Sequence, residues 1–118
     1  MLSDVSEPPP LVTAVLAALA GVRNGQAVLV LGTATTLRKA LEAGTGVALV
    51  NQGPADVVVV LTGPDLPDGL LQTRPGGRLV ALAADTGAVE RTAALHGLRV
   101  LHTEPVGGRV AWSSTLPG

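Results

Sequence analysis

One stretch decides the fold of this chain: Ala27-Val28-Leu29-Val30-Leu31-Gly32-Thr33-Ala34-Thr35-Thr36. Five apolar residues run into Gly32, and a segment with helical spacing of apolar residues follows at once. Such a run is typical of a parallel strand that is buried on both faces. A strand, a tight glycine turn and a helix start make the first unit of a doubly wound α/β sheet. In such sheets a ligand binds over the carboxyl end of the strand, against the helix N-terminus.

The composition is that of one apolar globular domain. Of the 118 residues, 47% are hydrophobic and 14% are charged, which excludes a disordered chain. The net charge is −1 and no basic stripe is present, so no nucleic-acid partner is predicted. Cys is absent, which excludes disulfides and thiolate chemistry, and a cytoplasmic location is the simpler interpretation.

The first predicted helix covers residues 11–22, and residues 1–10 before it form a Pro-rich lead that we expect to be flexible. The helix is too short to cross a bilayer, which takes about 20 residues, so no membrane partner is predicted. We expect Ala20 to lie outside its core-facing stripe, which consists of Val12, Val15, Leu16, Leu19 and Val22.

Strands and helices alternate through the remaining chain. Strands are predicted at residues 47–50, 57–61, 78–84, 98–103 and 109–113, and the last two form a hairpin through Pro105-Val106-Gly107-Gly108. The unbroken run at 57–61 predicts a central strand covered on both faces. One helix is predicted from Thr33 or Thr35 to about Ala43, and another from Asp85 or Thr86 to about Gly97. A short helix or turn is predicted at 68–73. The residues expected to face the sheet are Leu37, Ala40, Leu41, Val89 and Ala93. Residues 114–118 are expected to be a loose tail.

Three stretches of the chain, residues 22–32, 55–60 and 71–80 (LQTRPGGRLV), carry a family resemblance. They resemble, in this order, the approach to the first strand, the fourth strand and the approach to the fifth strand of class I S-adenosylmethionine-dependent methyltransferases. The resemblance covers about residues 11–113. It implies an α/β fold: a three-layer Rossmann-like sandwich with a mostly parallel sheet of about six strands that ends in an antiparallel hairpin.

The candidate cofactor-binding residues implied by this resemblance are Gly32, Thr33, Ala34 and Asn51. The family's first loop carries alternating glycines, whereas Ala34 and Thr36 follow Gly32 here. Glycine lets the backbone approach a ligand closely, and these side chains reduce that room. Asn51, or alternatively Val50, stands where the family has an acidic residue for the ribose hydroxyls, and Asn lacks the charge that strengthens such bonds.

A deletion distinguishes the chain from the family. Only residues 51–56 stand where the family has a helix, its third strand and another helix, so the wall that covers the adenine is missing. Six residues reach about 20 Å, while a parallel return needs about 17 Å along the strand plus two strand spacings. The strand at 47–50 is therefore parallel, antiparallel or exchanged with a second copy.

Other polar residues give weaker signals. His96 and His102 lack partners at metal-ligand spacing, so no metal site is predicted. The chain also lacks the Gly-x-Ser-x-Gly turn of hydrolases. Asp65 and Asp68 follow the central strand. We expect them either to act as a base or ligand or to cap the next helix. Trp112 is predicted to lie in the core or at an interface.

The function that we favour is a non-catalytic methyltransferase-like domain, with no catalytic residue and no bound cofactor, that acts as a self-associating binding or structural subunit. A bare sheet edge left by the deletion invites pairing with a second copy or a protein partner. The alternative is a minimal S-adenosylmethionine-dependent methyltransferase for a small molecule, with its site completed by a dimer. A weaker third hypothesis is a nucleotide-binding regulatory module.

Overall fold

A computed structural model describes residues 10–23, 25–32, 35–42, 48–61 and 63–117. The elements follow in the order α1 (Pro10–Ala20), β1 (Ala27–Leu31), α2 (Thr35–Glu42), β2 (Ala48–Leu49), β3 (Ala55–Val60), α3 (Leu66–Gln72), β4 (Thr73–Ala83), α4 (Thr86–His96), β5 (Arg99–Val106) and β6 (Arg109–Thr115). A short 3-10 turn at Gly63–Asp65 precedes α3. Residues 1–9 of the predicted lead lie outside the described residues, and Pro10 already belongs to α1.

The six strands form one sheet in the order β2-β1-β3-β4-β6-β5. β2, β1, β3 and β4 run parallel, and β6 is antiparallel to both β4 and β5. This arrangement confirms the predicted α/β fold with a mostly parallel sheet that ends in an antiparallel hairpin. No helix of the described ranges is long and apolar enough to cross a membrane.

β3 lies at the centre of the three layers. Val57 and Val59 face a core shared with α1 and α2, whereas Val58 and Val60 face a core shared with α3 and α4. Each of these four side chains is at most 2% exposed. Burial of one valine contributes about 1.5 kcal/mol or more, so this strand supplies a large share of the core. The prediction of a doubly covered central strand is confirmed.

Two predicted helix faces are wrong. Ala20 was expected outside the core stripe of α1, but it is fully buried because it continues the i, i+4 row of Val12 and Leu16. Ala40 was expected to face the sheet, yet it is exposed. Leu37 and Leu41 set the buried side of α2, and Ala40 lies about 80° away from their midpoint around the helix axis.

β2 is parallel to β1, with Ala48 beside Ala27 and Leu49 beside Val28. The antiparallel alternative is therefore wrong, and the pairing forms within one chain. The return to β3 is feasible because β2 is only two residues long and ends level with Val28 rather than at the top of the sheet. Val28 in turn pairs with Val57, so the chain descends only about 7 Å to reach Ala55.

The expectation of a loose tail is wrong for Ser114 and Thr115. Both belong to β6, and Ser114 is fully buried beside Leu79 of β4. The strand continues to this point because Leu79 and Arg78 of β4 pair with Ser114 and Thr115. β4 itself begins at Thr73, five residues before the predicted start. The backbone N–H of Leu116 also donates to the Gly77 carbonyl at 3.1 Å.

The second half of the chain contains two confirmed local predictions. The Asp85 side chain accepts a hydrogen bond from the Ala88 backbone N–H at 2.8 Å and caps α4, which ends at Gly97 in the left-handed conformation. The hairpin turn consists of Gly107 and Gly108, both with positive φ, so it is shorter than predicted. Trp112 is 2% exposed and lies in the core.

We expect Asp85→Ala to lower the free energy of unfolding by about 1 kcal/mol, because the first turn of α4 loses its side-chain acceptor. Asp85→Asn keeps an acceptor at this position and is the matched control, with a smaller loss. Urea denaturation of the two variants measures the difference. Equal losses in both variants would contradict a capping role.

We expect Gly69→Ala to destabilise the protein by about 1–3 kcal/mol, although alanine favours helices. Gly69 is buried in α3, and a Cβ there would lie 2.5 Å from Cγ2 of Val60. Gly63→Ala is the control, because a Cβ at Gly63 meets no atom within 4 Å. Thermal unfolding compares the two, and a Gly69→Ala variant as stable as Gly63→Ala would show that α3 can shift away from β3.

Candidate functional site

The carboxyl ends of the parallel strands are the place where this type of sheet binds ligands. Gly32 follows β1, Val50 and Asn51 follow β2, Leu61 follows β3, and Asp85 stands shortly after β4. Thr33 and Ala34, two of the predicted cofactor-binding residues, lie outside the described residues. Gly32 and Asn51 are therefore the predicted site residues whose positions the structure gives.

Gly32 has a conformation that favours glycine, with a φ of +112°. A Cβ at this position would also lie 3.3 Å from Cδ1 of Leu61, which packs beneath the turn. Both observations explain the glycine by the path of the backbone and the packing of Leu61. The presence of Gly32 is therefore compatible with a cofactor but does not require one.

Arg38 contacts the same turn, which the sequence analysis did not anticipate. Its Nη2 atom donates to the carbonyl oxygens of Val30 at 2.9 Å and Gly32 at 3.4 Å. Helical side chains lean toward the helix N-terminus, so an arginine in the first half of α2 can reach back to the end of β1. The sequence feature that could have predicted this contact is a long cationic side chain six residues after Gly32.

Asn51 is exposed and lies in the bend that follows β2. β2 ends beside Val28, three residues before β1 ends at Leu31. The two strand ends therefore differ in height by about 10 Å. Asn51 and Gly32 thus follow strand ends that lie at different levels of the sheet.

The nearby carboxylates take part in helix structure. Asp85 caps α4, and Asp68 lies 3.3 and 3.4 Å from the Nε2 atom of Gln72, which donates to it. The predicted cap at Asp85 is confirmed. Asp65 and Asp68 were each expected to be a base or ligand, or a helix cap. Asp65 stands at the cap position without the side-chain bond, and Asp68 contacts Gln72 within α3.

The two histidines are separate from this edge of the sheet. His96 is the last residue of α4, and His102 lies in β5 with its Nε2 atom 3.3 Å from Oε1 of Glu104. Within the described ranges, no three His, Cys, Asp or Glu side chains come together as a metal site would need.

Comparison with solved structures finds methyltransferases, whereas no family model and no curated protein matches this chain. A SAM-dependent O-methyltransferase from Thermotoga maritima superposes with a TM-score of 0.62 and 12% identity, over 94% of this chain and 66% of that one. A tRNA (m1A58) methyltransferase from Aquifex aeolicus gives 0.61 and 12%, over 94% and 70%. An RNA methyltransferase from Salinibacter ruber, solved with S-adenosyl-L-homocysteine, gives 0.54 and 17%, over 93% of each chain.

At these identities the likeness concerns the fold, and it agrees with the resemblance carried by residues 22–32, 55–60 and 71–80. The chain spans about two thirds of the first of these structures, in keeping with the short connection between β2 and β3. This protein is a shortened domain with the Rossmann-like fold of the S-adenosylmethionine-dependent methyltransferases.

Proposed function

We propose that this chain is a non-catalytic methyltransferase-like domain that serves as a binding or structural subunit and associates with a second copy of itself. The observation that carries the proposal is the hydrogen bonding of Arg38 to the carbonyls of Val30 and Gly32. A cation is thus bonded to the end of β1. The resemblance implies a cofactor there and an acidic residue two places before the first glycine, where this chain has Val30.

Three other residues at this edge of the sheet also support the proposal. Val30, which replaces the family's acidic residue before the glycine, is 4% exposed and part of the core. Asn51 is neutral, so its bond to a ribose hydroxyl would lack the strength of a charged acceptor. The carboxylate of Asp85 is already hydrogen-bonded to the backbone of α4.

A minimal methyltransferase for a small molecule, completed by a dimer, is the second candidate. The left-handed turn at Gly32 favours it, because that turn keeps the backbone shape of a cofactor loop. The packing of Leu61 under Gly32 accounts for the same glycine without a ligand, so we rank this candidate second.

Apolar surface beside β5 supports self-association. A groove of about 470 Å³ is lined on its apolar side by Val15, Ala18, Leu19 and Leu101, and Leu101 is 43% exposed. Pairing of strand edges is disfavoured at both ends of the sheet. β2 has only two residues, and β5 contains an irregularity between Val100 and His102 as well as Pro105. We therefore assign the contact to side chains of the groove.

We expect calorimetric titration with S-adenosylmethionine and S-adenosylhomocysteine to give no binding heat at millimolar ligand. Gly32→Val is the control, because it blocks the turn, and its titration should match that of the unmodified chain. Micromolar affinity, about −8 kcal/mol, that is lost in Gly32→Val would contradict the proposal and favour the methyltransferase.

We expect sedimentation equilibrium to show a dimer that Leu101→Lys weakens at least tenfold. Burial of a leucine contributes about 1.5–3 kcal/mol, and a lysine removes this contribution from the contact. Leu71→Lys is the matched control, since Leu71 is 84% exposed on α3 and lies outside the groove. A chain that remains monomeric at high concentration would refute self-association, and equal effects of both substitutions would refute the groove as its site.

A further inference from the structure

The opposite edge of the sheet, at the amino ends of the parallel strands, contains a cavity of about 310 Å³. Its charged lining residues are Arg23, Arg74, Arg78 and Asp56. Arg23 follows α1, Asp56 stands at the start of β3, and the other two arginines belong to the first half of β4. Three distant parts of the sequence therefore bring three guanidinium groups to one cavity.

Arg78 is held in place by the end of α1. Its Nη1 atom donates to the carbonyl oxygens of Ala20 at 3.1 Å and Leu19 at 3.4 Å. Gly21 leaves room for this guanidinium, because a Cβ there would collide with Nη1 of Arg78. A guanidinium carries five N–H donors, so these two carbonyls leave others for a ligand. The positioning is complete before a ligand arrives, which lowers the entropic cost of binding.

The charge at the cavity is unbalanced. Asp56 is the carboxylate among its lining residues, and its Oδ1 atom accepts from Nη1 of Arg74 at 2.6 Å. Its other oxygen accepts from the backbone N–H of Ala27 at 2.8 Å. Among the described residues the guanidinium of Arg23 has no such acceptor. Three arginines and one aspartate leave a net charge of +2 in a chain whose total charge is −1.

We propose that this cavity binds a small phosphorylated molecule, with its phosphoryl group held by Arg23 and Arg78. A phosphoryl monoester carries about −1.5 to −2 charges at pH 7, which matches the excess charge of the cavity. The planar guanidinium donates two parallel hydrogen bonds to phosphate oxygens. The cavity volume is at the lower end of the range of about 300–1,000 Å³ for small-molecule sites, so the ligand is small.

The test is a calorimetric titration of the full chain with inorganic phosphate and with pyrophosphate, at a total ionic strength held constant with chloride. We expect saturable binding of one ion per chain. Arg23→Gln should weaken it about tenfold, which is the loss of one hydrogen bond between charged groups. Arg91→Gln is the matched control, since Arg91 is an exposed arginine on α4, away from the cavity, and it should change the affinity less than twofold.

Arg78→Lys provides an independent variant, because lysine keeps the charge and loses the planar donor set. We expect it to weaken phosphate binding while circular dichroism shows the same fold. Absence of saturation in the unmodified chain, or an equal loss in Arg91→Gln and Arg23→Gln, would overturn the proposal. Succinate that binds more tightly than phosphate would overturn the ligand class. The result is independent of the cofactor titration, because the two sites lie at opposite edges of the sheet.

Discussion

Burial of β3 on both faces is the constraint on which the rest of this structure depends. Its alternating valines pack α1 and α2 against one side of the sheet and α3 and α4 against the other. A central strand needs partners at both edges, and β1 and β4 supply them. Both run parallel to β3, as is usual in sheets that are covered on both faces. The short connection from β2 is compatible with this order because β2 ends low in the sheet.

The two edges of the parallel sheet differ in their polar chemistry. At the amino edge, Asp56 connects the start of β1 with Arg74 of β4, and Arg78 connects β4 with the end of α1. At the carboxyl edge, the polar contacts are local, at the start of α4 and between Arg38 and the end of β1. We infer that the fold has been kept for its framework and its surfaces, while the edge that serves a cofactor in related folds has taken on structural contacts.

Local patterns were sufficient to predict much of the fold. The valine run of β3, the glycine after β1, the cap at Asp85 and the Gly107-Gly108 turn each depend on neighbours in sequence. Apart from the helix faces of Ala20 and Ala40, the features that the sequence did not determine are pairings between distant residues. The direction of β2 depends on its height beside β1, and the order of Ser114 depends on Leu79, which is 35 residues away. For the same reason the sequence did not reveal the arginine cavity, whose charged residues come from three distant parts of the chain.

We propose that this chain keeps a methyltransferase fold without the cofactor function of its carboxyl edge. Amide NMR spectra recorded while S-adenosylhomocysteine is added test this claim residue by residue. We expect the amide signals of Gly32 and Asn51 to keep their positions at millimolar ligand. Saturable movement of these two signals, together with those of Leu31 and Leu61, would place the cofactor at this edge and contradict the proposal.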